Sequence, residues 1–176
     1  MSNHTPKRFP KVWKTISFLG AFWVALSPLA VTGTSDALPP SAPLAVVVHI
    51  SSRFDGLTSG MLRKVMAGET CEWPDAHRVV LVEQAPESLV YHQMLRLILH
   101  TDPKSYQRHL MQAEFQGKDV PLVKTLISDE IEIKFVGSVP GAIAVVDSGS
   151  VAASGSRVKV LRIDGKLPGE RGYPLQ

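Results

Sequence analysis

The side chains in this sequence best suited to chemistry are oxyanion donors. Ser51, Ser52 and Arg53 stand together in a polar stretch, HISSRFDG, just after an apolar run. Hydroxyls each supply one donor, and arginine adds a bidentate fork. Ser88 follows a second apolar run and opens a helical pattern. Its hydroxyl would stand beside the free N–H groups and the positive dipole end of a helix. Ser51, Ser52, Arg53 and Ser88 are therefore the candidate anion-binding residues. Each place also has a plainer reading. The first is a solvated loop in which Arg53 pairs with Asp55. The second is an ordinary helix cap, with Glu87 favouring the dipole from the first turn. Acids stand close to both places. Asp55 suits a protonated oxyanion and repels a fully ionised one, while Glu83 and Glu87 flank Ser88. A carboxylate opposes a bound anion strongly where water is excluded and weakly where it is exposed.

Other chemistries lack their residues. The histidines are His4, His49, His77, His92, His100 and His109, and no two have the His-x-x-x-His spacing of a chelating helix. His92 and His100 share a helical face, but eight residues of helix separate them by about 12 Å, too far to hold one ion. No Gly-x-Ser-x-Gly elbow, phosphate-binding glycine loop or dinucleotide fingerprint is present. Cys71 is the single cysteine, so no disulfide can close within the chain. It would serve as a nucleophile only beside a base, and His77 lies six residues on; a buried, inert thiol is the plainer reading. These residues predict a protein that is not an enzyme and needs no metal or cofactor.

The elements that must position the candidates can be read from periodicity. Leu44–Val48 is a valine-rich run suited to a strand buried on both faces, as in a parallel sheet. Thr58 can cap a helix carrying Met61, Leu62, Val65 and Met66, which Gly68 can end in a left-handed conformation. Arg78–Val82 is a second strand, and Pro86 and Ser88 open a helix with Val90, Tyr91, Met94, Leu95 and Ile98 on one side. Asp102-Pro103 reads as a cap and first helical position, for a helix to about Met111. Residues 122–127 are ambiguous. A helix capped by Asp129 is favoured over 130–138, although Ile131, Ile133 and Phe135 alternate like a strand. Ala142–Val146 is a third strand and Arg157–Ile163 a fourth, with a flexible stretch or turn between. Strands alternating with helices predict an α/β fold with crossovers covering the sheet.

The first 37 residues have a different character. Lys7, Arg8, Lys11 and Lys14 precede an uncharged run from Ile16 to Val31, then small and polar residues. That order predicts a secretory signal peptide over residues 1–37, cut after Ala37 or, less favourably, after Gly33. An uncleaved membrane anchor is the alternative; the run is short for a span and Pro28 stands near its end. A proline-rich tether, residues 38–43, then leads into a domain over 44–176. The whole chain has 19 basic and 16 acidic residues; without residues 1–37 these fall to 15 and 15. The basic excess thus belongs to the targeting segment, and no nucleic-acid partner is expected.

Four segments resemble the phosphate-type periplasmic substrate-binding proteins of ABC transporters, particularly short PstS-like members. Leu57, Thr58, Leu62, Met66, Gly68 and Trp73 fit the family's helix-and-tryptophan pattern, with Met66 in place of phenylalanine. RVVLVEQAPESLVYHQML stands where the family has a strand, an anion-contacting loop and a helix. VPGAIAVV at Val139–Val146 is close to Pro-Gly-Ala-Ile-Gly-Tyr. Val158–Leu175 is similar to the closing strand and Tyr-Pro-Leu tail. The resemblance implies one periplasmic-binding-protein-like (type 2) lobe, with a mixed, mainly parallel sheet flanked by helices. Two-lobed members close on an anion between lobes. It also implies a periplasmic location, phosphate or another oxyanion as ligand, and a membrane transporter as partner. The family's arginine and Gly-Ser-Gly-Thr stretch is replaced by Glu83–Ser88. The alternative is therefore an envelope interaction protein that keeps the fold without the anion, contacting another envelope protein or a second copy of itself as a homodimer.

Overall fold

The structure, a computed structural model, describes residues 42–153 and 157–176. The expected signal segment and all but the last two residues of the expected tether lie outside the described residues. The described residues all belong to one compact unit, Ala37–Gln176.

Apolar runs form the strands that carry the core. In chain order these are β1 (Leu44–His49), β2 (Gly56–Leu57), β3 (Val80–Gln84), β4 (Leu122–Leu126), β5 (Ala142–Asp147), β6 (Val158–Val160) and β7 (Arg162–Ile163). The helices are α1 (Ser59–Met66), α2 (Leu89–Met94), α3 (Pro103–Phe115), α4 (Asp129–Val136) and α5 (Ser148–Ala153). The main sheet has the order β4-β3-β5-β1-β6, while β2 and β7 pair separately. β3 is parallel to β4 and β5, whereas β1 is antiparallel to both β5 and β6. Four strands of the main sheet therefore point one way and β1 alone points the other.

Alternation divides the core into two layers. Leu44, Val46, Val48, Leu81, Ile143 and Val145 face one side, with Leu62, Val65, Met94, Leu95 and Tyr106 from the helices. Ala45, Val47, Val82, Ala144 and Val146 face the other, with Ile133 and Val136 of α4. The valine run of β1 is buried on both faces, as its composition requires, but its pairing is antiparallel on both sides.

Several local signals hold. Thr58 accepts the Met61 N–H at 3.2 Å, Asp102 the Ser105 N–H at 3.0 Å, and Gly68 is left-handed. Others need correction. The second strand begins two residues later than expected. The helix after Ser88 widens into a π-helical segment, Leu95–Leu99, ended by His100 in a left-handed conformation. α3 runs four residues past Met111. Residues 122–126 are a strand, and the following helix has Ser128, not Asp129, at its cap position. The stretch expected to be flexible or a turn contains α5 instead, and the expected fourth strand divides into β6, which pairs with β1, and β7, which pairs with β2. Tyr173 and Leu175 are buried, and the Leu175 carbonyl accepts the Leu44 N–H at 2.8 Å, so the tail anchors the start of β1.

Gly141 sets the entry to β5. It has φ +87°, and a Cβ there would lie 2.4 Å from the Arg78 carbonyl oxygen. Its own carbonyl accepts the Trp73 indole N–H at 2.8 Å, and Trp73 stacks against Phe54 with centroids 4.6 Å apart. Gly141→Ala combines left-handed strain with a backbone clash and is expected to cost more than ~2 kcal/mol. Gly165 has a similar φ of +79° with nothing near its Cβ position, so Gly165→Ala is expected to cost about 1 kcal/mol. Urea unfolding of both variants checks this; equal costs would show that the close approach to Arg78 carries no energy.

Candidate functional site

Strand direction decides where the candidate residues go. β1 pairs Leu44 with Asp147 and Val48 with Ile143. The end of β1 therefore lies beside the start of β5, at the amino edge of the parallel strands. Ser51, Ser52 and Arg53 follow β1 and stand on that edge. Ser88 follows β3 and stands on the opposite, carboxyl edge. Six residues of β5 lie between the edges, roughly 17 Å. The four candidates thus form two places.

At the amino edge most polar groups already have local partners. The Ser51 hydroxyl is 2.7 Å from His49 Nδ1, and the Ser52 carbonyl accepts Lys159 Nζ at 2.6 Å. Lys159 also pairs with Asp55 at 2.9 Å, and this bond holds the Asp55 carboxyl below its usual range. The partner of Asp55 is thus Lys159 rather than Arg53. Arg53 is exposed, with no hydrogen bond or ion pair among the described residues. Ser51 and Ser52 line a narrow cleft with Trp73, His77 and Gly141. Its volume of about 10 Å³ leaves room for about one water molecule.

The carboxyl edge is where open α/β sheets usually hold ligands. Ser88 caps α2, accepting the Tyr91 N–H at 3.0 Å, so its hydroxyl proton remains available for donation. Gln84 ends β3, and the register Gln84↔Leu126 brings the residues after β4 beside it. The Gln84 amide donates to Asp129 and, at 3.3 Å, to Glu132 Oε2. Asp129 Oδ2 also accepts the Ser150 hydroxyl at 2.6 Å and the Asp147 N–H at 3.3 Å. These donors (an amide, a hydroxyl and a backbone N–H) are of the kinds an oxyanion needs, and an acid of the chain itself takes them up.

Two buried acids complete this edge. Glu83 lies on the other face of β3, 3.2 Å from the Tyr106 hydroxyl, which also donates to the Met66 carbonyl at 3.1 Å. Burial pushes Glu83 up to about 7, against the opposing pull of the Tyr106 bond. Burial pushes Glu132 up to about 8; the Gln84 bond opposes this, and Asp129 and Glu83 add to it. Glu132 is fully buried, and its Oε1 has no partner among the described residues.

Sequence reading singles out Ser88 and Glu83 here but misses Gln84, Asp129, Glu132, Asp147 and Ser150 as one cluster. The missing signal is β4. Once residues 122–126 are a strand parallel to β3, the start of α4 must stand beside the end of β3. Among the described residues, no group of three or more His, Cys, Asp or Glu side chains is placed to hold a metal ion. Cys71 is half-buried with its thiol 3.0 Å from the Asp119 carbonyl, and burial pushes its pKa up.

No family profile and no curated protein matches the chain. Solved structures do. An ABC-type phosphate transport receptor from Vibrio cholerae superposes with a TM-score of 0.59 at 18% identity, covering 76% of this chain and 53% of the receptor. PstS from Borrelia burgdorferi gives 0.62 at 14%, covering 76% and 54%. A phosphate ABC transporter substrate-binding protein from Clostridium perfringens, solved with bound phosphate, gives 0.53 at 14%, covering 70% and 46%. The chain spans about half the length of these structures. The fold is that of one lobe of a type 2 periplasmic binding protein, with the mixed, mainly parallel sheet that the sequence motifs predict.

The buried acids give the domain a pH dependence with a defined sign. Held above their ordinary value of 4.5 in the folded state, Glu83 and Glu132 keep protons that the unfolded chain has lost. Their stabilising effect is therefore complete below about 4.5 and declines as pH rises toward 7 and 8. Urea unfolding is expected to show greater stability at pH 5 than at pH 8, by on the order of a few kcal/mol. Glu132→Gln should reduce that difference and raise stability at pH 8. Equal stability of the native domain at both pH values would count against these assignments.

Proposed function

We propose that this is an exported, non-enzymatic solute-binding protein. In this reading it works in the periplasm with an ABC-type membrane transporter and takes an oxyanion of the phosphate class as its ligand. The supporting observation is the lobe itself, a mixed sheet with β1 reversed between β5 and β6, whose fold is similar to that of phosphate receptors. Its carboxyl edge presents the Ser88 hydroxyl and the donors of Gln84, Ser150 and Asp147. An oxyanion there would meet Ser88 directly and would compete with Asp129 for the other three. At the amino edge, the unpaired guanidinium of Arg53 offers a second seat beside Ser51 and Ser52.

One observation favours a second reading. Asp129 already accepts from Gln84, Ser150 and Asp147, and Glu83 and Glu132 stand behind it. In that reading the lobe is an envelope interaction protein that keeps the fold without capturing an anion.

Calorimetric titration of the Ala37–Gln176 unit with phosphate, and separately with sulfate, separates the two. The first reading expects saturable heat at one ion per chain in the micromolar range. Ser88→Ala should weaken it about tenfold if the site is at the carboxyl edge, and Arg53→Gln should do so if it is at the amino edge. No heat up to millimolar ligand would sink the first reading and leave the second.

A further inference from the structure

One corner of the molecule plays no part in either edge. α3 joins the core through buried Tyr106 and half-buried Leu110, leaving its other side outward. Lys104, Arg108, Met111 and Phe115 follow one another at spacings of four, three and four, and so form one ridge along that side. Met111 is 68% exposed and Phe115 96%. Isolated exposed apolar side chains are ordinary; two large ones a turn apart, in line with two cations, form an amphipathic ridge.

Charge narrows what could cover them. Lys104, Arg108 and Lys118 are exposed on and just beyond α3, with Glu114 as the exposed acid on that stretch. Arg78 and Asp119 form an ion pair and largely offset each other. A second copy laid on this corner would bring like charges together. An anionic surface would meet three cations while its apolar layer took up Phe115 and Met111, the combination that holds amphipathic helices at membrane interfaces.

We propose that the outward ridge of α3 docks on an anionic lipid bilayer. Phe115 and Met111 enter the boundary between headgroups and acyl chains, and the lysines and Arg108 lie among the headgroup phosphates. The attraction weakens as salt screens it. None of the ridge residues belongs to either candidate anion place, so lipid docking does not require oxyanion capture.

The test is co-sedimentation of the Ala37–Gln176 unit, which contains both core layers without residues 1–36. Vesicles of phosphatidylglycerol and phosphatidylethanolamine are compared with vesicles of phosphatidylcholine alone. Binding is expected on the anionic vesicles, at least tenfold stronger than on the neutral ones and falling with salt. Met111→Ser with Phe115→Ser should weaken it by more than tenfold. Lys104→Gln with Arg108→Gln should weaken it by about tenfold and flatten the salt dependence. The replaced groups are exposed, so circular dichroism melts of both variants should match the parent. Equal binding to both vesicle types, binding untouched by the ridge substitutions, or no binding at all would overturn the proposal. In the last case, an acidic protein would be the partner class left for this corner.

Discussion

The antiparallel pairing of β1 with β5 governs the rest of the structure. β1 supplies five successive buried residues, Leu44 to Val48, which fill both layers of the core from one strand. Burying one valine or leucine side chain contributes about 1.5–3 kcal/mol before the entropy of ordering is set against it, so β1 and its partner β5, buried in the same pattern, together hold the two layers. β1 also joins two otherwise separate parts of the sheet, the parallel set β4-β3-β5 and the edge strand β6. Its partner in β5 lies about a hundred positions away in sequence, Leu44 against Asp147. Such a long-range pairing makes the centre of the sheet slow to assemble, because a large loop must close first. The tail shares in this, since the Leu175 carbonyl fixes the start of β1.

Because β1 runs against its neighbours, the two polar segments that follow strands come out at opposite edges. The carboxyl edge then joins the two core layers chemically. Glu83 and Gln84 are consecutive in β3, so they point to opposite faces. Glu83 meets Tyr106 of α3 on one side, while Gln84 meets Asp129 and Glu132 of α4 on the other. One strand end thus links both helical layers through polar contacts within otherwise apolar surroundings. Buried polar groups in such a place are costly when unpaired and rigidifying when satisfied. Burial keeps both glutamates above their usual range, so their protonation is tied to the packing of the layers on the sheet.

Much of the fold was legible because its signals were local. The valine runs of β1 and β5, the caps at Thr58, Ser88 and Asp102, and the turns at Gly141 and Asp164-Gly165 all announce themselves within a few residues. What was not legible depended on distant neighbours. Residues 122–127 have no clear period because β4 is an edge strand with much of its surface in water. Ser148–Ala153 has the small and polar composition of a loop, but it turns helical where it packs against β1, β5 and α4. The direction of β1 cannot be read from its composition, since a strand buried on both faces has the same apolar content whichever way it runs. That hidden direction separated Ser51, Ser52 and Arg53 from Ser88, and the hidden β4 concealed Gln84 and Asp129 as neighbours.

An anion receptor needs donors left unpaired in the free protein, because a donor with an internal acceptor contributes only the difference between two hydrogen bonds. Here the Gln84 amide, the Ser150 hydroxyl and the Asp147 N–H all have Asp129 as acceptor. A ligand at this edge therefore gains full value only from Ser88, and must move Asp129 to gain more. At the amino edge the same reasoning leaves Arg53 and the Ser52 hydroxyl, since the Ser51 hydroxyl is engaged with His49. The donors of the carboxyl edge are thus turned inward, onto an acid of the lobe itself. Satisfied polar groups stabilise the lobe, and under the proposed oxyanion reading the same satisfaction would lower the affinity it offers. In that reading stability and capture are opposed through one residue, Asp129.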